Sequence, residues 1–368
     1  MMFIGVPGSP EEDWPAKPYT VIKETPVIRE KPYLFEEGKK LSLIMPGLKR
    51  NSSSIGWSIT NESDKIIKAD DIFLAYPLRD DAKAINTELA KGKHVLLTPG
   101  RYFLKESLKV TKPGTVLMGI GLATLIPENG NAAVEVADVD GVTVSGITID
   151  AGPVQSKELF VMGEPGSSRP HRENPSFLYD IFIRVGGPAE GSAISSMVIN
   201  SNDVVIDHIW LWRADHGNGV GWTKNKGANG LIVNGENVTV YGLFNEHFQE
   251  YQTLWNGENG KVYFYQSEMP YDPPTAESWK HGNTFGYASY KVSDNVKNHD
   301  AWGIGIYNVF YDAPVIVDNA IETPEAVESR IHNKIIFWLN GNKESYVKSI
   351  INGKGGRIDV TTRKQAIR

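Results

Sequence analysis

The chain has 368 residues, 40% apolar and 22% charged, with 9 Trp, 15 Tyr and 13 Phe to bury, which excludes bulk disorder and gives an ordinary globular composition. The formal net charge of −6 argues against nucleic acid and anionic membrane surfaces as partners, because both recruit basic faces. There is no cysteine, so disulfides, thiol catalysis and Cys-ligated zinc or iron–sulfur centres are excluded.

No run approaches the roughly 18 apolar residues of a membrane-spanning helix. At about 150 residues per domain the length allows two or three domains, although single β-solenoids run longer. The N-terminal stretch MMFIGVPGSPEEDWP has no basic region and no long apolar core, so it does not read as a signal peptide. It reads as a segment that follows another domain. Residues 1–75 are irregular and proline-rich (Pro7, Pro10, Pro15, Pro18, Pro26, Pro32, Pro46). Strand candidates at 19–22 and 41–44 are restricted to edges by their prolines. This region is expected to be a connector wrapping over a neighbouring body, and residues 76–368 to form one β-rich domain. A short helix is predicted over 81–91, with Ala82, Ile85 and Leu89 on one face, then a strand at 94–98 and a turn at Pro99-Gly100.

From there the pattern is β-strand and turn. Strands are predicted at 115–118, 133–136, 142–149, 196–199, 204–212, 231–233, 238–244 and 261–266. VEVADVDGVTVSGITI, MVINSNDVVIDHIWLW and LIVNGENVTVYGLFNE repeat one unit: short strand, polar four-residue turn, second strand. Imperfect repetition of such units marks a β-solenoid. Short β-branched strands punctuated by Asn and Gly suit a right-handed parallel β-helix with coils about 4.8 Å apart. Asn in the turns fits because it tolerates left-handed backbone angles. A β-sandwich is the alternative, but it would alternate apolar and polar positions more cleanly. Further strands are expected at 334–339 and 346–351, followed by a basic tail at 363–368.

The most informative stretch is 241–274. Residues 240–246 align with 262–268 at a constant offset of 22, about one coil with short turns. Tyr263 should then stack on Tyr241, and Glu268 should lie one rung from Glu246 at the strand ends. Stacked carboxylates repel, so one keeps its proton near neutrality. A proton-sharing acid pair is what glycosidic cleavage uses, one carboxyl protonating the leaving oxygen while the other activates water or attacks. Solvated edge residues would show the same spacing.

Trp210, Trp212, Trp222, Phe248, Tyr251, Trp255, Tyr271 and Trp302 lie near this pair in sequence. Sugar rings pack apolar faces on aromatic side chains while polar groups hold the hydroxyls. Trp212, Trp222 and Trp255, among turn residues, are expected to be platforms; Trp210 is expected inside the coil. Asp215 and His216 in WRADHGNG are placed to orient a hydroxyl, but lack the further ligands of a metal site. Neither a phosphate loop nor a Gly-x-Ser-x-Gly elbow is present.

The run Tyr241-Gly242, Glu246-His247, Tyr251-Gln252, then Gln266-Ser267-Glu268-Met269-Pro270-Tyr271, preceded by WLWRADHG, resembles glycoside hydrolase family 55, exo-acting β-1,3-glucanases (laminarinases). The chain is also similar to bacterial proteins bearing adenylyl-cyclase or coagulation-factor labels, which these residues do not support physically. The family resemblance spans about 26–311. It implies an inverting hydrolase of β-glucan, with Glu268 as general acid, Glu246 as the second carboxylate holding water, and Tyr271 lining the site. Asp215, His216, His247, Trp212, Trp222, Tyr251, Trp255, Gln266 and Lys291 complete the candidate substrate-binding set. No cofactor or metal is expected. The partner is a polysaccharide or oligosaccharide, and the resemblance implies extracellular action. Family members pair two β-helices side by side; this chain resembles the second half plus the linker. A partner half is therefore expected to pack on the surface formed by the first 75 residues.

Two alternatives remain at this point. A β-helix can serve as a non-catalytic carbohydrate-binding or adhesion module. A polysaccharide lyase would need a basic residue, for which Lys291 and Arg213 are available, and usually a calcium cluster, of which the sequence has no sign.

Overall fold

The computed structural model describes residues 1–38, 40–53 and 63–368. Two long parallel sheets run side by side along the molecule. The larger has 12 strands. Its path runs from Ile72–Ala75 through His94–Leu97, Val116–Pro127, Thr143–Asp150, Phe177–Val185, Val205–Arg213, Thr239–Glu246, Gly260–Glu268 and His299–Phe310 to Ile331–Gly341. The antiparallel strand Lys364–Ile367 closes that end. The smaller has 8 strands, Leu108–Val110 to Ile321–Glu322. Each turn of the chain adds one strand to each sheet, which is the pectate-lyase-like parallel β-helix. The predicted helix is Ala82–Ala90, with Asp81 capping it by accepting from the Ala84 amide and with Ala82, Ile85 and Leu89 buried. It covers the first coil, where an open sheet edge would otherwise meet water.

The long strands bend at a corner that the sequence pattern did not reveal. In neighbouring coils Asp180, His208, Gly242, Phe264, Gly303 and Asn333 carry φ between 48° and 70°. The strand register skips these positions. Before the corner, side chains such as Tyr179, Tyr241, Tyr263 and Trp302 face outward. After it, Ile181, Ile209, Leu243, Tyr265 and Ile304 stack in the interior and are fully buried. Turn residues stack as well. Asn200 donates to the Gly163 carbonyl, Asn234 to Asn200 and Asn256 to Asn234, at 2.9, 2.7 and 2.7 Å. These are the repeated polar turns, and Asp203, Asn237 and Asn259 take the left-handed angles that such turns need.

Residues 1–75 are more ordered than their prolines suggest. Thr20–Ile22 and Lys40–Met45 are strands, and Ile72–Ala75 already belongs to the large sheet. Met2, Ile4, Ile22, Val27 and Leu48 pack on Phe177, Tyr179, Tyr241 and Tyr263, the outward row before the corner. The hydroxyls of Tyr179 and Tyr241 donate to the carbonyls of Arg29 and Val27 at 2.7 and 2.8 Å. The segment thus covers an apolar flank of its own β-helix.

Gly242 tests the corner. A Cβ there would meet nothing nearer than the His208 backbone at 3.9 Å, so a substitution is limited by backbone angle and not by space. Gly242→Ala should destabilise by about 1–2 kcal/mol, with Gly242→Asn milder because Asn tolerates this region. Denaturant unfolding reads both; equal stability in all three proteins would remove the corner's constraint.

Candidate functional site

The register of the large sheet builds the site. Asp150, Arg184, Trp212, Glu246, Glu268 and Tyr307 are successive partners across neighbouring strands. They form one outward row at the strands' C-terminal end. Glu246 and Glu268 are direct partners, as the 22-residue offset predicted, and Tyr263 stacks on Tyr241 at 5.2 Å.

Glu246 is half-buried, and its pKa is pushed up to about 7. Burial is the largest cause and the neighbouring Glu268 charge adds to it; the Trp210 indole N–H, donating to Oε2 at 3.0 Å, opposes it. On Glu268, Oε2 accepts from the Tyr271 hydroxyl, and Gln266 Nε2 lies 3.5 Å from Oε1. The buried Oε1 of Gln266 has no partner among the described residues. The Tyr271 hydroxyl is pushed well above its ordinary pKa, by burial first and by Glu268 next, so it stays a donor.

His247 is buried against two carboxylates, Asp215 and Glu268. Its Nε2 lies 3.8 Å from Asp215 and 3.9 Å from Glu268, and Nδ1 is 3.2 Å from the Met269 carbonyl. That carbonyl only accepts, so Nδ1 carries a proton. Burial lowers the ring's pKa, leaving Nε2 as the free acceptor of a neutral imidazole. Asp215 also takes the Trp212 indole at 3.3 Å and His216 Nδ1 at 2.9 Å. Trp210 and Trp212 stack at 5.2 Å, and the exposed His216 lies against Trp212.

One buried cation fixes the loops behind this rim. The Arg213 guanidinium grips Asp272 through two bonds of 2.9 Å and donates to the carbonyls of His247 and Asn225. It ties together the chain after Trp212, after Glu246 and after Glu268. A fully buried, fully paired guanidinium cannot act as the exposed base of a lyase. Among the described residues, no group of three or more His, Asp or Glu is arranged to hold a metal ion.

Glu246, Glu268, Tyr271, Gln266, His247, Asp215, His216 and Trp212 therefore converge, and several other expectations are corrected. Trp212 is buried and packed between Trp210 and His216, so it backs the rim and is no open platform. Trp255 is no platform: it is fully buried, its N–H bonded to the Gly257 carbonyl and its ring on His299. It points into the coil because the small-sheet strand Thr253–Trp255 alternates inward at 253 and 255. Trp222 packs on the core with its ring beneath Arg213. Tyr251 lies against His281 and Tyr287, and Lys291 pairs with Glu322 at 3.3 Å, a separate cluster on the small sheet's outer side. Phe248 is core, and Trp302 stacks on Tyr263 before the corner. Trp210, expected inside, stands on the rim with Glu246. The left-handed residue at 208 re-phases the alternation, so Ile209 turns inward and Trp210 outward. Tyr307, in register with Glu268, was missed. A long loop separates the two strands, so no constant offset marks the pair.

Fold and row together define a pectate-lyase-like β-helix with a paired-carboxylate rim. The LAM55 pectate lyase-like domain matches residues 74–268. The exo-β-1,3-glucanase of Streptomyces sp. strain SirexAA-E is 41% identical over 356 residues, covering 96% of this chain and 58% of that protein. The solved structure of sacteLam55A from Streptomyces sp. SirexAA-E superposes with a TM-score of 0.95 at 39% identity, over 100% of this chain and 67% of that one. A glutamate-to-alanine variant of sacteLam55A in complex with glucose gives 0.93 at 39% identity, over 100% and 66%. The chain belongs to glycoside hydrolase family 55, the Lam55 exo-β-1,3-glucanase family. It spans 58% of the length of the curated relative.

The raised Glu246 pKa has a stability consequence. A carboxyl whose pKa rises from 4.5 to about 7 on folding binds more protons in the native state, so it lowers stability as pH rises through that window. Chemical denaturation across pH 4–8 should show Glu246→Gln gaining on the parent between about pH 4.5 and 7 and holding that gain above. Parallel curves would mean that Glu246 titrates normally.

Proposed function

We propose that this chain carries the hydrolytic rim of a β-1,3-glucan exo-hydrolase working by inversion. The observation that carries the reading is the register pairing of Glu246 and Glu268 on an indole-lined rim, with Glu246 pushed to about pKa 7. Glu246 therefore still holds its proton in part of the molecules near neutrality. We assign Glu268, as the resemblance implies, the protonation of the glycosidic oxygen. Glu246 is the second carboxylate: the proton it holds in the empty site passes to Glu268 in the productive complex, and the freed carboxylate draws a proton from the water attacking the anomeric carbon on the opposite face. Tyr271 holds Glu268 in place. The half-buried indole of Trp210, with the buried Trp212 stacked against it, offers an apolar face to a sugar ring. The partly exposed Asp215 carboxylate accepts from a sugar hydroxyl, with His247 packed behind it.

Such a substrate is too large to cross a membrane, which supports action outside the cell. The remaining length of the relative supports a second β-helix half closing the rim. We place its contact along the half-buried aromatic row Phe182, Phe244 and Phe264 and on the outer side of residues 1–75.

Glucose release from laminarin, with the product anomer read by NMR, tests the assignment. Inversion gives α-glucose first. Glu268→Gln should lower the rate by about 10²–10⁴, and far less on an aryl β-glucoside whose phenol leaves without protonation. Glu246→Gln should fail on both substrates. Equal rates in parent and Glu268→Gln would refute the acid. Glucan binding without hydrolysis in every protein would favour the non-catalytic module, for which the 58% coverage speaks.

A further inference from the structure

A second groove lies where the large-sheet strands begin, before the corner. It has a volume of about 500 Å³ and runs past residues 175, 203, 237, 259, 300 and 330. Those positions lie at or just before the starts of six neighbouring strands. At about 4.8 Å per rung, the track is roughly 24 Å long, which suits an extended chain better than a single ion.

Its charge opposes that of the whole protein. Arg50, Arg172, Lys261 and Arg330 line it against two carboxylates, Asp203 and Asp300, on a chain of net charge −6. Arg330 is committed to Asp300 through bonds of 2.9 and 2.6 Å. Asp203 accepts from the His171 backbone N–H at 2.8 Å. Arg50, Arg172 and Lys261 have no carboxylate partner among the described residues, and the side-chain amides of Asn237 and Asn259 have no hydrogen bond there.

The loop presenting Arg172 is pinned. His171 is buried, with Nδ1 2.6 Å from Asp140 and Nε2 2.9 Å from Asp138, and Asp138 also accepts from Ser201 at 2.7 Å. Flanking carboxylates raise the pKa of this imidazole against the opposing effect of burial. Arg50 donates to the Arg172 carbonyl. Two guanidinium groups are thus brought together at one end of the track, with Lys261 three rungs along. A binding surface set before the ligand arrives loses less freedom on association.

No aromatic side chain lines the groove. That disfavours single-stranded nucleic acid, which stacks its bases, and a neutral glucan, which needs an apolar platform. Guanidinium forks match carboxylate and sulfate oxygens, and unpaired amides match hydroxyls. We propose that this groove binds an anionic glycan, a chain bearing uronate or sulfate groups, independently of the carboxylate rim and of whether that rim hydrolyses glucan.

Titration calorimetry with polygalacturonate and with dextran sulfate tests this, each arm reporting one anionic group. The expected result is binding of at least one polymer that weakens as salt is added. In Arg172→Ala/Lys261→Ala the affinity should fall by about tenfold or more, as expected for losing charge-assisted hydrogen bonds. Lys364→Ala in the exposed basic tail should leave it unchanged, and laminarin binding should be equal in all three proteins. Matching thermal unfolding shows that the double variant is folded; if it is not, Arg172→Gln with Lys261→Gln replaces it. Failure of both polymers to bind, equal binding in parent and double variant, or equally tight binding of a single-stranded oligonucleotide would each overturn the proposal.

Discussion

Everything in this molecule depends on parallel coils stacking in register at a fixed rung height. A parallel ladder places each residue beside its counterpart one coil away, so like meets like. Tyr241 lies on Tyr263 and Tyr263 on Trp302 at 5.2 and 4.8 Å. Asn200, Asn234 and Asn256 form a chain of amide bonds. Apolar and amide rows gain from this repetition by dispersion and hydrogen bonding. A carboxylate row does not, because two negative charges one rung apart repel. Glu246 against Glu268 is the row that the fold tolerates and stability alone would avoid.

That tolerance has identifiable supports. Burial makes Glu246 hold its proton, which removes one of the two charges. Trp210 and Tyr271 give each carboxyl a donor, and His247 stays neutral between Glu268 and Asp215. The cations in this region are spoken for by other acids. Arg184, two rungs from Glu246 on the same row, pairs with Asp150, and Arg213, buried behind the rim, is neutralised by Asp272, where it aligns loops without neutralising the acid pair. An unpaired cation directly beside the pair would have lowered Glu246 and removed the proton it holds near neutrality.

The corner divides the outer surface into two faces of different chemistry. After the corner, the row carries carboxyls, indoles and half-buried phenylalanines. Before it, the surface carries a tyrosine row under the N-terminal segment and, at the strand starts, a cationic groove. One run of sequence supplies both because the left-handed residue changes which alternate side chains face out. Val205–Arg213 shows this within nine residues: Asp207 is outward, His208 turns the corner, and Trp210 and Trp212 are outward again.

The sequence alone determined the solenoid, the capping helix and the carboxylate pair. Each rests on local or strictly periodic information: polar turns, helical spacing around Asp81, and a constant offset of 22 between 246 and 268. The family motifs were legible for the same reason, since they lie on consecutive coils with short turns. Tertiary structure decided what periodicity does not carry. The corner residues range from Gly to Asp, His, Phe and Asn, so no residue type announces them, yet they set Trp210 outward. Trp255 went inward through alternation in a three-residue strand too short to read. Tyr307 joined Glu268 across a long loop, and Arg213 found Asp272 59 residues away. Such pairings follow from which strands become neighbours, a consequence of the whole chain's burial of apolar surface and not of any one segment.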